Sequence, residues 1–299
     1  MTTRAAMLKN VAPVAPEGAV SALERSVLVI DDLETMRGCR RYVHVVRSPA
    51  YDAELFSRCM PLLEKIAAAG DLPEKSNLAL EAYTSLFQLR FSGTYASIEQ
   101  RLEVIRPLLL SDEPAGRRLG LKALESALEG WHFKPFHDFE FGARSRDYGY
   151  WPRSPGEVKH WFGLTLKLSA ELACGDKPVG SQVRTVVARQ LRGAWTRAHT
   201  YEEIEDACRT ISQKQFWPEG WIAARQIRHH DSKGLTPEVL DRLEALEALL
   251  RLRDLIQRVR SIVLFEGLSA IYVTDIEDGG TADVAQRRAR AGAIARDLG

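Results

Sequence analysis

The chain has 299 residues, 45% of them hydrophobic and 27% charged, with a formal net charge of +1. That composition is ordinary for a folded chain and argues against disorder. The near-zero charge gives no support to general neutralisation of nucleic-acid phosphates, although a local basic face remains compatible with it.

The first residues, Met-Thr-Thr-Arg-Ala-Ala-Met-Leu-Lys-Asn, lack the long apolar core of a signal peptide. Residues 1–20, with Pro13 and Pro16, read as a mobile lead-in or as the ragged edge of a longer chain. Residues 21–47 read as short helices, although the β-branched content around Val43, Val45 and Val46 also fits strands. Within them, Val27-Leu28-Val29-Ile30-Asp31-Asp32 has the look of a strand whose carboxylates hold magnesium beside a nucleotide. The phosphate loop that this chemistry requires is missing, since the chain contains no Gly-Lys dipeptide.

From Asp52 the apolar residues Leu55, Phe56, Cys59, Leu62, Leu63 and Ile66 recur at three- and four-residue steps, which is one helix face ended by Gly70. A helix from Pro73 follows, with Leu80, Tyr83 and Phe87 inward and a stop near Gly93. Ser97 and Gln100 form a capping box opening the next helix, whose stripe is Ile98, Leu102 and Ile105 and which Pro107 should kink. Pro114 sits in the first turn of its successor, with Leu121, Leu124 and Leu128 as stripe and Gly130 as stop.

These segments superimpose without a gap at a spacing of 41 residues: Asp71 on Asp112, Pro73 on Pro114, Leu78 on Leu119, Leu80 on Leu121, Phe87 on Leu128. A third step puts Pro155 in register. A period near 40 residues with two helices per unit is the mark of HEAT- or armadillo-like repeats. The expected fold is therefore all-α, antiparallel helix pairs stacked into an α-solenoid.

Residues 132–155 break the rhythm with aromatics, Gly, Pro and paired Arg and Asp. A long ordered loop is more often functional than a short connection. Arg144, Arg146, Asp147, Tyr148, Tyr150 and Trp151 are the candidate partner-binding residues, because Arg and aromatics dominate binding hot spots. The structural alternative is that Arg146 and Asp147 pin the loop to the following helix.

Helical pattern returns over 156–268, with Val158, Trp161, Phe162, Thr165 and Leu168, then Val183, Val187, Leu191 and Trp195, then Ile204, Cys208 and Ile211 facing inward. Trp217 to Ile227 is a short helix after Pro218. A longer stretch from Thr236 and Pro237 carries Leu240, Leu243, Leu246, Leu250, Ile256, Val259 and Val263, with a break expected near Asp254. Residues 269–299 read as an acidic loop and a terminal helix. The organisation is thus a lead-in over 1–47, repeats over 48–131, the aromatic loop, repeats over 156–268, and the tail.

Competing chemistries are thin. His132, His137, Asp138 and Glu140, with His160 nearby, could serve a metal-dependent hydrolase, but their spacing lacks the four-residue His pair of a helical metal site. Arg184, Arg189, Arg192 and Arg197 could line a nucleic-acid face, a reading that the near-zero net charge disfavours. His229-His230-Asp231 reads as a cationic helix end. No nucleophile elbow exists. Cys39, Cys59, Cys174 and Cys208 are scattered, consistent with four buried reduced thiols in a cytoplasmic protein. No run of apolar residues is long enough for a membrane span. The residues thus point to a non-catalytic binding protein with no cofactor and no metal.

The series from Phe139 to Pro152, with Trp217-Pro-Glu-Gly-Trp221 leading into Ala-Ala-Arg, and the stretch from Leu243 to Leu255, resembles the helical-repeat portion of large bacterial multidomain ATPases of the STAND type, some of them in antiviral defence. The resemblance covers most of residues 45–299. It implies that nucleotide and effector sites lie in other domains, while the repeats recognise a trigger or hold the ATPase closed. No ATP-binding residue carries over, because the phosphate loop is missing. The implied partners are another protein or neighbouring domains of a longer chain.

Overall fold

Apolar stripes at helical spacing must be buried against one another, and in the computed structural model of the protein they are. The structure describes residues 3–69, 77–131, 141–143, 145–175 and 177–251. Among them the regular elements are all helical, with no strand. In order they are α1 (Thr3–Val11), α2 (Pro16–Val27), α3 (Leu33–Gly38), α4 (Val43–Arg47), α5 (Ala53–Ala68), α6 (Leu78–Ser85), α7 (Ile98–Leu110), α8 (Pro114–Ala127), α9 (Pro155–Ala173), α10 (Val179–Gly193), α11 (Tyr201–Lys214), α12 (Pro218–Asp231) and α13 (Pro237–Leu250).

Local signals set many of these boundaries. Ser97 Oγ accepts from the Gln100 amide at 3.3 Å while Gln100 Oε1 accepts from the Ser97 amide at 2.9 Å, the reciprocal capping box of α7. Ser154 Oγ accepts from the Glu157 amide at 3.2 Å and caps α9. Proline occupies the first turn of α8, α9, α12 and α13, where an absent N–H leaves nothing unsatisfied. Pro107 lies inside α7, and Pro61, which the stripe of α5 conceals, lies inside α5.

The N-terminal region differs from a mobile lead-in: α1 and α2 are helices, and Ala12, Val20, Leu23 and Val27 are buried. The Val27–Asp32 run is no strand. Val27 ends α2, and Asp32 caps α3, its carboxylate accepting from the Thr35 amide at 2.7 Å.

Most helices pack with a neighbour along the chain or with the helix two positions on, and α5 also meets α2 and α8, three positions away. α5 meets α6 and α7; α6 meets α8; α7 meets α8 and α9; α8 meets α10; α9 meets α10 and α11; α10 meets α12; α11 and α12 meet α13. One buried apolar cluster runs from Ala12 to Leu250.

The 41-residue register holds between α6 and α8, through positions other than the most conspicuous leucines. Ala79 and Gly120, Ala82 and Ala123, Tyr83 and Leu124, Leu86 and Ala127, Phe87 and Leu128 are all buried. Leu78, by contrast, is 68% exposed while Leu119 is 1% exposed. The third step fails: Pro155 heads α9, which follows α7 in the packing order, whereas the successor of α8 is α10. The helix expected to run to Gly93 stops at Ser85, and residues 86–97 take an irregular path. Gly70, Pro73 and everything after Arg251, including Asp254, the acidic loop and the terminal helix, lie outside the described residues.

Candidate functional site

The irregular 86–97 segment carries backbone carbonyls that no helix satisfies, and two buried arginines meet them. Arg101, on α7 and fully buried, donates from Nη1 to Gln88 O at 2.6 Å, from Nε and Nη2 to Ala96 O at 3.1 Å each, and to Ser92 Oγ at 3.3 Å. Arg47, on α4, donates to Ser92 O at 2.9 Å and to Ser85 Oγ. A guanidinium has five donors in a fixed fork, so one side chain can hold several points of such a loop.

The 145–153 segment lies on this platform. The Gly93 amide donates to Tyr148 O at 2.9 Å, and the Tyr150 amide to Thr94 O at 2.8 Å. Gly149, at φ +80°, makes the close approach possible, since a Cβ there would fall 2.4 Å from the Thr94 nitrogen. A third strip joins through the Tyr95 amide, which donates to Tyr51 O at 2.9 Å.

Arg146 and Asp147 fasten these strips. Arg146 donates to Ser48 O at 2.6 Å, lies 3.7 Å from the Asp52 carboxylate, and sits over the rings of Tyr51 (4.3 Å) and Phe141 (4.6 Å). Asp147 accepts from the hydroxyls of Tyr51 (2.9 Å) and Tyr95 (2.6 Å) and from the Gly149 amide (2.9 Å). Partial burial opposes ionisation of Asp147, but the bonds from Tyr95, Gly149 and Tyr51 together hold its carboxyl below the usual range. The tyrosines move the other way. Burial first, and then the Asp147 bond, raises Tyr51; the Asp147 bond first, and then burial, raises Tyr95. An ionised carboxylate locked between two protonated phenols is not poised to transfer protons near neutral pH.

Tyr150 stacks on Trp161 with centroids 6.0 Å apart, and Arg101 lies 4.7 Å from the Trp161 ring centroid, so the loop also rests on the helical core. Trp151 on this loop and Tyr95 on the 86–97 segment are 48% and 45% exposed. Phe91 meets Trp151 and Tyr148 edge-on at 5.1 and 5.2 Å, and Arg90 packs 5.4 Å from the Trp151 ring centroid. Arg153, two residues after Trp151, is exposed.

Of the residues singled out from sequence, Arg146, Tyr148 and Tyr150 are half-buried in the loop's own contacts, Asp147 is exposed but bonded to Tyr51, Tyr95 and Gly149, and Trp151 is exposed as an apolar contact. Arg144 lies outside the described residues, as do His132, His137, Asp138 and Glu140. His160 pairs with Glu99 at 2.9 Å, and among the described residues no group of three or more His, Cys, Asp or Glu could hold a metal ion. The four arginines of the nucleic-acid reading all have partners in the chain: Arg184 donates to Ala173 O, Arg189 is 3.9 Å from Glu125, Arg192 forks onto Asp231, and Arg197 covers Trp131. All four cysteines are free thiols; three are buried and Cys174 is half-buried.

Sequence reasoning missed Tyr51, Arg90, Phe91, Tyr95, Arg101 and Arg153. The one signal that could have found several of them is Ser-Gly-Thr-Tyr at 92–95, a turn-forming run just before a capping box. No helix among the described residues is long and apolar enough to cross a membrane. No family model matches the chain, and neither a curated protein nor a solved structure matches it.

Proposed function

We propose that this chain is a non-catalytic helical-repeat scaffold or sensor that holds a protein partner through the face of the 145–153 segment. In this reading the helices form an α-solenoid: α5, α7, α9, α11 and α13 line one layer, α6, α8, α10 and α12 the other, as their packing order supports. The observation that carries the binding role is the pair of half-exposed aromatics, Trp151 on the 145–153 segment and Tyr95 on the adjoining 86–97 segment, two strips fixed by Arg47, Arg101, Arg146 and Asp147. A rigid aromatic presented beside an arginine loses little entropy on binding, which is why such residues dominate hot spots.

The resemblance to the repeat region of STAND-type ATPases belongs to the same proposal. The partner is then a trigger protein or a neighbouring domain of a larger bacterial NTPase assembly, in the cytoplasm, where free thiols persist. The test is cross-linking in the native host, identification of the partner, and reconstitution with purified components. Trp151→Ala and Tyr95→Ala should each weaken the reconstituted complex about tenfold or more with helical content retained, Tyr95→Ala also lowering the melting temperature because it removes the hydroxyl that donates to Asp147. A complex of undiminished affinity with both variants removes this face from the account.

A further inference from the structure

We draw no further inference here: the strongest candidate, the aromatic cluster in which Phe91 meets Tyr148 and Trp151 edge-on beside Arg90 where the 86–97 and 145–153 segments join, belongs to the face already described, and nothing in the structure shows what covers it.

Discussion

Arg101 shows how one side chain can organise a stretch that has no secondary structure of its own. Among the described residues it has no carboxylate partner; its acceptors are the carbonyls of Gln88 and Ala96 and the Ser92 hydroxyl. Burial lowers its pKa to about 9, which leaves it charged near neutral pH. Removing it orphans two carbonyls, each worth roughly 1–3 kcal/mol when buried without a donor. Arg101→Met should therefore destabilise the fold by about 3 kcal/mol in urea unfolding, and Arg101→Lys should recover little of it, because one ammonium cannot span the three acceptors. Glu64 on α5 presents the opposite case. Burial raises its pKa from 4.5 to about 7, and nearby Tyr83 offers only a buried hydroxyl with no hydrogen-bond partner. The folded state thus keeps a proton that the unfolded chain has already lost. The stability tied to that proton is complete below about pH 4.5 and vanishes as the pH rises through about 7. Glu64→Gln should leave stability near pH 5 almost unchanged and raise it near pH 8 by about 1–2 kcal/mol, the residue being only half-buried. Equal shifts at both pH values would show that Glu64 is ionised throughout.

At the scale of elements, two helical glycines separate propensity from packing. Gly to Ala gains about 1 kcal/mol in an unobstructed helix. A Cβ at Gly163 on α9 would meet nothing nearer than Glu203 Cγ at 3.5 Å, so Gly163→Ala should stabilise the protein by up to that amount. A Cβ at Gly120 on α8 would lie 2.8 Å from the Leu109 nitrogen of α7, and a backbone atom in a helix cannot step aside. Gly120→Ala should push α7 from α8 and cost about 2 kcal/mol despite the better propensity. Thermal unfolding of the two variants, with melting temperatures moving in opposite directions, checks both. The same contrast explains what could be read in advance. The capping box at Ser97 and the stripe of α5 were legible because their partners lie within a turn or two. The 86–97 path was not, because its carbonyls are satisfied by Arg47 and Arg101, whose roles depend on tertiary placement. In the candidate loop the sequence left open whether Arg146 and Asp147 face a partner or pin the loop, and local spacing could not decide it. Arg146 reaches Ser48 and Asp52, and Asp147 reaches Tyr51 and Tyr95, and these partners are far away in sequence.

Across the whole molecule, the packing order decides how damage spreads. If helices meet only their near neighbours along the chain, stability is a sum of local terms, and one end can open while the other stays closed. α13 packs against α11 and α12, and its Leu243 is fully buried there. Leu243→Ala should cost about 2–5 kcal/mol through lost contact and the cavity left behind. In a linear array that loss falls on the α11–α13 end: amides of Ile204, Ile211, Ile227 and Leu246 should exchange faster with deuterium, while those of Leu62, Leu63 and Leu124 in α5 and α8 keep their protection. A single indivisible core would instead lose protection in every helix by the same factor, since every amide would then exchange through global opening. Hydrogen exchange on this one variant therefore tells a stack of helix pairs from a cooperative globule, and with it whether the loop carrying Trp151 can stay ordered when the far end of the molecule opens.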